Sequence, residues 1–580
     1  MYLRTTQRRN ADGTTVRYYQ LAENTWDATK GCAVARVVYN FGRADKLDRT
    51  TLQRLAHSIL RVVQEQEGQV VDEDGAPIQL LEAWPYGGIW VLEQLWKELG
   101  IDAILKHQAG VKRATMRLLD AIFVMVANRT LEPVSKLYCW DQWLREEVLL
   151  PRGNQLDLHH LYLGMDLLEN HKEEIEKSVY FATADLMNAD VDLIFYDTTS
   201  LHFEVDEEDE AELGKRERTY PAQRKRGHSK NGRDDAPQIV IGLAVTRDGL
   251  PVRSWVFPGN TADVTTVERV KNDLRGWRLG RCVFVGDAGM NSEENRRSLS
   301  LGAGKYILAA KMRAGDEVTH EVLTRPGRYR TIKDNLRLKE VIVGDGERAR
   351  RYVVCHNPLE EERQRKHRER LVTQLELELG SLRQLDGNRH SKRACDLRTS
   401  ARFGRYLRED ESGKLSIDRG KIRDAERYDG KWVVTSNDDT LTSTDLALGY
   451  KQLMRVEQCW RQLKSGLRLR PVYHYRPWRI HAHVTITVLG LLLERIIEIR
   501  SGDTWRNVLD KLQTIKVVEY ERDGVRVRQT TELRPDVQQL LARLNIPVPP
   551  KLHNVQSQSD SRRSKTIAPS PTDPAQACGA

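Results

Sequence analysis

Asp197 follows the apolar run "LIFY" and Asp287 follows "VFVG". Glu457 lies in "YKQLMRVEQCWRQLKSGLRLRP", seven residues after Tyr450 and seven before Lys464. Three carboxylates without an accompanying histidine or cysteine suit hard cations. Mg²⁺ takes oxygen ligands, keeps several waters and bridges to substrate phosphates. A pair of such ions can activate a water or a 3′-hydroxyl and stabilise the leaving oxygen of a phosphodiester. Lys464 then has a task as a point charge on phosphate, and Tyr450 can hydrogen-bond a phosphate or stack on a base. Each residue also has a plainer reading. An Asp after a strand is often a turn or cap residue, and Glu and Lys at helical spacing are often solvated surface charges.

These side chains must be positioned by regular elements. At roughly 100° per residue a step of seven returns to nearly the same helix face, so the pattern predicts one amphipathic helix over 449–471. Leu453, Val456, Trp460, Leu463 and Leu467 form its apolar stripe, with the polar row along the edge. "VDLIFYDTTSLHF" and "RCVFVGDAGM" read as strands ending in carboxylates. "DAPQIVIGLAVTRDGLPVRSWVFPGNTAD" reads as two strands around a turn at Asp248 and Gly249. Strands alternating with helices predict a mixed α/β sheet, whose strand ends open into a ligand crevice.

The wider chain suggests a mixed N-terminal region over 1–87, a helical region over 88–190 and a catalytic domain over 191–313 and 430–500. A subdomain inserted at 314–429, a C-terminal region at 501–552 and a disordered, Ser- and Pro-rich tail at 553–580 complete it. In the helical region Lys106, Lys112, Arg113, Arg117, Arg129 and Lys136 are candidate DNA contacts, or merely solvated charges. The seven cysteines form no CxxC pair, which supports neither a disulfide framework nor a zinc site. The net charge of +9 permits a polyanionic partner without requiring one. No run approaches the roughly 18 uninterrupted apolar residues of a membrane span, and "MYLRTTQRRN" has no apolar signal core. We therefore expect a cytoplasmic protein with no membrane partner.

The blocks "FYDTTS", "GHSKNGRDDAPQIVIGLAVTRDGLPV", "FPGNTADVTT", "FVGDAGM" and "YKQLMRVEQCWRQLKSGLRLRPVYHYRPWRIHAH", in that order, span most of 190–495. In this the chain resembles bacterial insertion-sequence transposases of the DDE class, in the group with a Tyr-Arg-Glu-Lys signature and a β-rich insertion before the catalytic glutamate. The resemblance implies an RNase H-like (retroviral integrase superfamily) catalytic domain in which Asp197, Asp287 and Glu457 carry two Mg²⁺ ions, with Mn²⁺ able to substitute. It further implies binding of double-stranded DNA at terminal inverted repeats and at the target. Water-activated nicking, a hairpin intermediate and strand transfer follow from it, as does a homodimer in a synaptic complex. The 170-residue interval from Asp287 to Glu457 accommodates the insertion. One position departs from the signature: Leu453 stands where arginine is expected, and Arg461 or Arg455 is left to supply that phosphate contact.

"KRERTYPAQRKRGHSKNGR" (215–233) is a basic loop that either grips the DNA backbone or is neutralised by the preceding "EVDEEDEAE". Lys230 in it is a candidate DNA contact, and His228 belongs to the same block. His481 and His483 lie two apart, on different helix faces, which disfavours a joint metal site. His202 lies near Asp197. Trp255 and Trp460 are conceivable base-unstacking wedges but suit a core better. Two other function classes fit parts of the pattern. One is an aspartyl phosphotransferase with Asp197 as nucleophile, although Thr199 stands where a second Asp is usual. The other is a transposase-derived DNA-binding protein without catalysis.

Overall fold

The structure, a computed structural model, describes residues 2–9, 15–27, 32–43, 54, 70–71, 77–110, 113–187, 193–213, 219–230, 232–277, 282–313, 317–346, 349–522 and 524–557. The chain forms two compact units, one of residues 1–82, 519–528 and 554–580 and one of 83–518 and 529–553. In the first, strands β1 (Tyr2–Arg9), β2 (Thr15–Asp27) and β3 (Cys32–Arg43) form an antiparallel sheet. Within the mixed region expected over 1–87, the stretch 44–69 lies outside the described residues apart from Arg54. So does the expected tail, except that Leu552–Ser557 is a strand.

In the second unit a mixed sheet contains, among the described residues, nine strands. These are β4 (Leu193–His202), β5 (Gln238–Thr246), β6 (Pro251–Pro258), β7 (Val283–Gly286), β8 (Lys305–Ala309), β9 (Arg330–Lys333), β10 (Leu336–Val343), β11 (Arg350–His356) and β12 (Lys431–Ser436), in the order β6-β5-β4-β7-β8-β12-β11-β10-β9. β6, β5 and β4 are antiparallel to one another, β7 and β8 run parallel to β4, and the remaining pairs are antiparallel. The region expected as an insertion, 314–429, divides. Its strands β9 to β11 continue this sheet through β12. Its helices, among them α8 (Pro358–Leu382) and α9 (Gly387–Thr399), bury a small core of their own around Leu371, Leu375, Leu397 and Tyr406.

Both faces are covered at β4, β5 and β7, which is why these strands read as near-continuous apolar runs. The two-residue repeat sends Leu193 and Phe195 of β4 to one core and Ile194 and Tyr196 to the other. The first core is closed by α11 (Ser443–Lys451), α12 (Met454–Arg461) and α13 (Pro477–Ser501). The second is closed by α6 (Asp263–Arg275) and α7 (Glu293–Ser300). Helices α1 to α5 (Gly87–Glu98, Ile101–Ala109, Arg113–Leu131, Leu158–Asn170 and Lys172–Leu186) form the bundle expected from the sequence.

α13 joins bundle and sheet. Ala482, Ile486, Leu489 and Leu493 enter the bundle core, whereas Ile480, Val484, Val488 and Leu491 enter the sheet core. A helix that is apolar on both sides must be buried on both. α13 is also long and apolar enough to cross a membrane, yet 89% of its apolar window is buried inside the protein. Arg129 and Lys136, expected as possible DNA contacts, are each only 5% exposed. Arg129 donates to the carbonyls of Arg468 (3.1 Å) and Val134 (3.3 Å), so it braces a loop from within. Arg117 is exposed, and Lys112 lies outside the described residues.

Candidate active site

Parallel pairing of β4 with β7 aligns Phe195 with Val285. Two residues further on stand Asp197, still within β4 and on the face of Phe195, and Asp287, just past the end of β7. That face is the one covered by α11 and α12. β7 ends at Gly286, and Asp287 caps the short 3₁₀ turn Ala288–Met290, its Oδ1 accepting from the Met290 amide at 3.2 Å. Gly289 gives that carboxylate room, because a Cβ there would lie 3.3 Å from its Oδ1.

The Asp197 side chain is 20% exposed. Burial pushes its carboxyl up to about 6. Lys230 opposes the shift, and the charges of Asp287 and Asp263 add to it. Burial raises Asp287 as well, again opposed by Lys230 and assisted by Asp263. Two carboxyls raised chiefly by burial are what a divalent cation relieves. The donors are all oxygen, as Mg²⁺ or Mn²⁺ requires.

The segment 449–471 is not the single helix expected. α11 stops at Lys451, where i→i+3 bonds from Gln452 to Gly449 (3.1 Å) and from Leu453 to Tyr450 (2.9 Å) tighten a turn. α12 follows, and Gln462–Gly466 continues it as a π-helical turn. The apolar stripe is buried throughout: Leu453, Val456, Trp460, Leu463 and Leu467 are at most 8% exposed. Leu453 therefore goes into the core from the turn, which explains an apolar residue where the signature has arginine.

Tyr450 faces the acids. Burial raises its hydroxyl, and the charges of Asp287, Glu457 and Asp197 raise it further, so it is a neutral donor. Lys464, on the π-helical turn, is lowered by burial and by Arg470 and is attracted by Asp197. Glu457 is exposed on α12, and its charge acts on Tyr450. Arg461 is exposed on the last turn of α12 and makes no ion pair among the described residues. Arg455 is exposed and donates to Gln458 at 3.2 Å.

Lys230 lies on the exposed loop, its side chain 34% exposed, but its ammonium is engaged at the acid cluster. Its Nζ lies 2.8 Å from Asp263 Oδ2 and 3.9 Å from Asp197 Oδ1, and it donates to the Thr198 carbonyl (2.8 Å) and hydroxyl (2.6 Å). Asp263, the first residue of α6, was not singled out from the sequence, although its block "FPGNTADVTT" was. The signal available was an acid opening a helix, which is ordinarily read as dipole complementation. Among the described residues, other cations of the basic loop pair with its acidic neighbour. Arg224 pairs with Asp209 at 2.6 Å, Lys225 with Glu208 at 3.1 Å and Arg233 with Glu204 at 3.3 Å.

The other candidates fall away from the site. His481 bonds Glu169 at 3.0 Å while His483 bonds the Leu469 carbonyl at 3.0 Å, so they share no ligand. His202 pairs with Glu204 at 3.3 Å, and the His228 side chain is 93% exposed. Trp255 and Trp460 are 3% and 6% exposed and belong to the core.

A mixed α/β sheet thus carries Asp197 and leads to Asp287 near Tyr450. The transposase DDE domain family model matches residues 197–493, and the chain belongs to that family. The N-terminal domain model of IS1634 family transposases matches residues 3–72, so the protein is an insertion-sequence transposase, an enzyme of DNA transposition. Membership carries dependence on divalent metal and replaces the phosphotransferase reading. No curated protein matches the chain. Among solved structures, a cryo-EM structure of the piggyBac transposase synaptic complex with hairpin DNA is similar at 9% identity. It has a TM-score of 0.36, covering 84% of this chain and 87% of that one.

Proposed function

We propose that this transposase binds the terminal inverted repeats of its element, cleaves DNA there and transfers the freed strand, using Asp197, Asp287 and Glu457 to hold two Mg²⁺ ions. The observation that carries the proposal is the alignment of Asp197 with Asp287 beneath Tyr450 and Lys464. The strand order β6-β5-β4-β7-β8, three antiparallel strands followed by two parallel to β4, supports an RNase H-like reading of the catalytic sheet.

When bound, such ions supply Lewis acidity to the attacking and leaving oxygens of a phosphodiester, and Mn²⁺ serves in their place. The protein's own groups do the rest. Asp197 and Asp287 present oxygens from a rigid sheet, and Glu457 adds a third carboxylate from α12. Lys464 holds a phosphate by charge, and Tyr450, protonated at any working pH, donates a hydrogen bond to it. Arg461, exposed on α12, contacts the DNA backbone beyond the acids. Lys230, its side chain 34% exposed beside the acids, is a candidate contact for DNA that enters the site. Two ends must be cut together, so the working form is a homodimer on paired ends.

The test is cleavage of DNA carrying the gene's natural flanks, in Mg²⁺, by the native protein, Asp287→Asn and Glu457→Gln. Native protein releases a defined fragment, while both variants retain end binding and lose cleavage by about 10³-fold or more. Cleavage by the variants at the native rate would overturn the assignment. Hairpin ends on the product decide the route.

A further inference from the structure

Lys230, on a loop, and Asp263, opening α6, are 33 residues apart in sequence, and several contacts join their segments. Gly227 and Gly259 pack backbone to backbone: a Cβ on Gly227 would lie 2.4 Å from the Gly259 carbonyl oxygen, and one on Gly259 would lie 2.0 Å from that of Gln238. The fully buried Gln238 ties both loops with one amide, donating to the His228 carbonyl at 3.1 Å and the Gly259 carbonyl at 3.0 Å. The Lys230 amide donates to Ser200 Oγ at 2.8 Å. At the base of α6, Thr266 accepts from the buried Tyr196 hydroxyl at 2.9 Å. The ammonium is therefore placed by a scaffold rather than by its own flexible stem.

An ammonium has three hydrogens to donate. Here three oxygens take them: the Thr198 carbonyl, the Thr198 hydroxyl and Asp263 Oδ2, all within 2.8 Å. The Thr198 hydroxyl passes its own hydrogen on to Asp263 Oδ1, so Asp263 engages both members of the set. Asp197, at 3.9 Å, receives attraction but no hydrogen bond from Lys230. Its oxygens are stabilised by a neighbouring positive charge yet not covered by it.

We propose that Lys230 is an internal counter-cation of the acid cluster, and that Asp263 is the positioning residue that holds it back so that Asp197 remains open to a divalent ion. The proposal rests on the metal-site reading above. It gives Asp263 a role other than that of a metal ligand. Without the Asp263 charge, the ammonium closes on Asp197 as the nearest remaining carboxylate and competes with the metal for it. Lys230 is the largest opposing influence on the raised carboxyls of both Asp197 and Asp287, in keeping with this placement.

The experiment is Mn²⁺ binding to the full-length, DNA-free protein, read by the loss of the free-ion electron paramagnetic resonance signal, for native, Asp263→Asn, Lys230→Met, the double variant and Asp287→Asn. Asp263→Asn is expected to weaken Mn²⁺ binding roughly 10- to 100-fold, as loss of an outer partner does. Adding Lys230→Met to it is expected to restore binding to the Lys230→Met level. If Asp263→Asn weakens binding equally with and without Lys230, Asp263 is itself a ligand and the proposal is wrong. It is equally wrong if Asp263→Asn changes nothing in the native background. Undiminished binding by Asp287→Asn would instead remove the metal-site reading, and this inference with it. Thermal unfolding of each variant separates these outcomes from misfolding.

Discussion

Burial can reverse what a residue type suggests. Lys136 sits inside the bundle with no hydrogen-bond partner for its Nζ among the described residues. Burial first, and the Arg129 guanidinium second, push its amine down to about 7 from 10.5. Between those values the unfolded chain binds a proton that the folded chain does not. This group's contribution to stability therefore rises with pH from about 7 to 10.5 and is least below 7. Lys136→Met is expected to raise stability at pH 7 by about 1–4 kcal/mol, because a buried charge is replaced by an apolar side chain of similar shape. Urea unfolding across this range should show the gain shrinking towards pH 10.5; a gain independent of pH would show that the amine is not the cause.

At the scale of elements, the turn between α11 and α12 explains the departure at Leu453. A side chain in that turn points into the sheet core, at 8% exposure. Leu453→Arg would place a guanidinium in that buried turn. Thermal or urea unfolding should register about 2–4 kcal/mol of destabilisation. A variant as stable as the native protein would show that the turn can re-aim the side chain towards the acids. The break also means that the seven-residue spacing of Tyr450, Glu457 and Lys464 is not realised on one continuous helix. The turn and the π-helical segment Gln462–Gly466 bring Tyr450 and Lys464 to the acids instead.

At the scale of the molecule, α13 makes the bundle and the sheet one body. Ile486 belongs to the bundle core and Leu491 to the sheet core, and both are fully buried. Ile486→Ala and Leu491→Ala are each expected to cost about 2–5 kcal/mol. Both should lower the same calorimetric transition, since neither core can open without exposing the shared helix. Two transitions, each moved by only one variant, would show that the bundle unfolds independently of the sheet.

The sequence by itself pointed to the strand that leads to Asp287, the apolar stripe beneath Glu457, the helical region and the family. All of these are written in near-neighbour patterns: alternation in strands, three-to-four spacing in helices, and motif blocks in a fixed order. It misplaced Asp197, which lies inside a strand that runs on to His202 because that edge pairs up to His202 with Gln238–Thr246. What only the tertiary structure decided depends on partners distant along the chain. Lys230 reads as one more charge in a basic run until Asp263 is brought to 2.8 Å from it. Arg129 and Lys136 read as surface points until α13 and the loop after α12 cover them. β9 to β11 read as a separate insertion until β12 draws them into the central sheet. Burial and long-range pairing set the charge state and role of each group, and neither is a property of any short stretch of sequence.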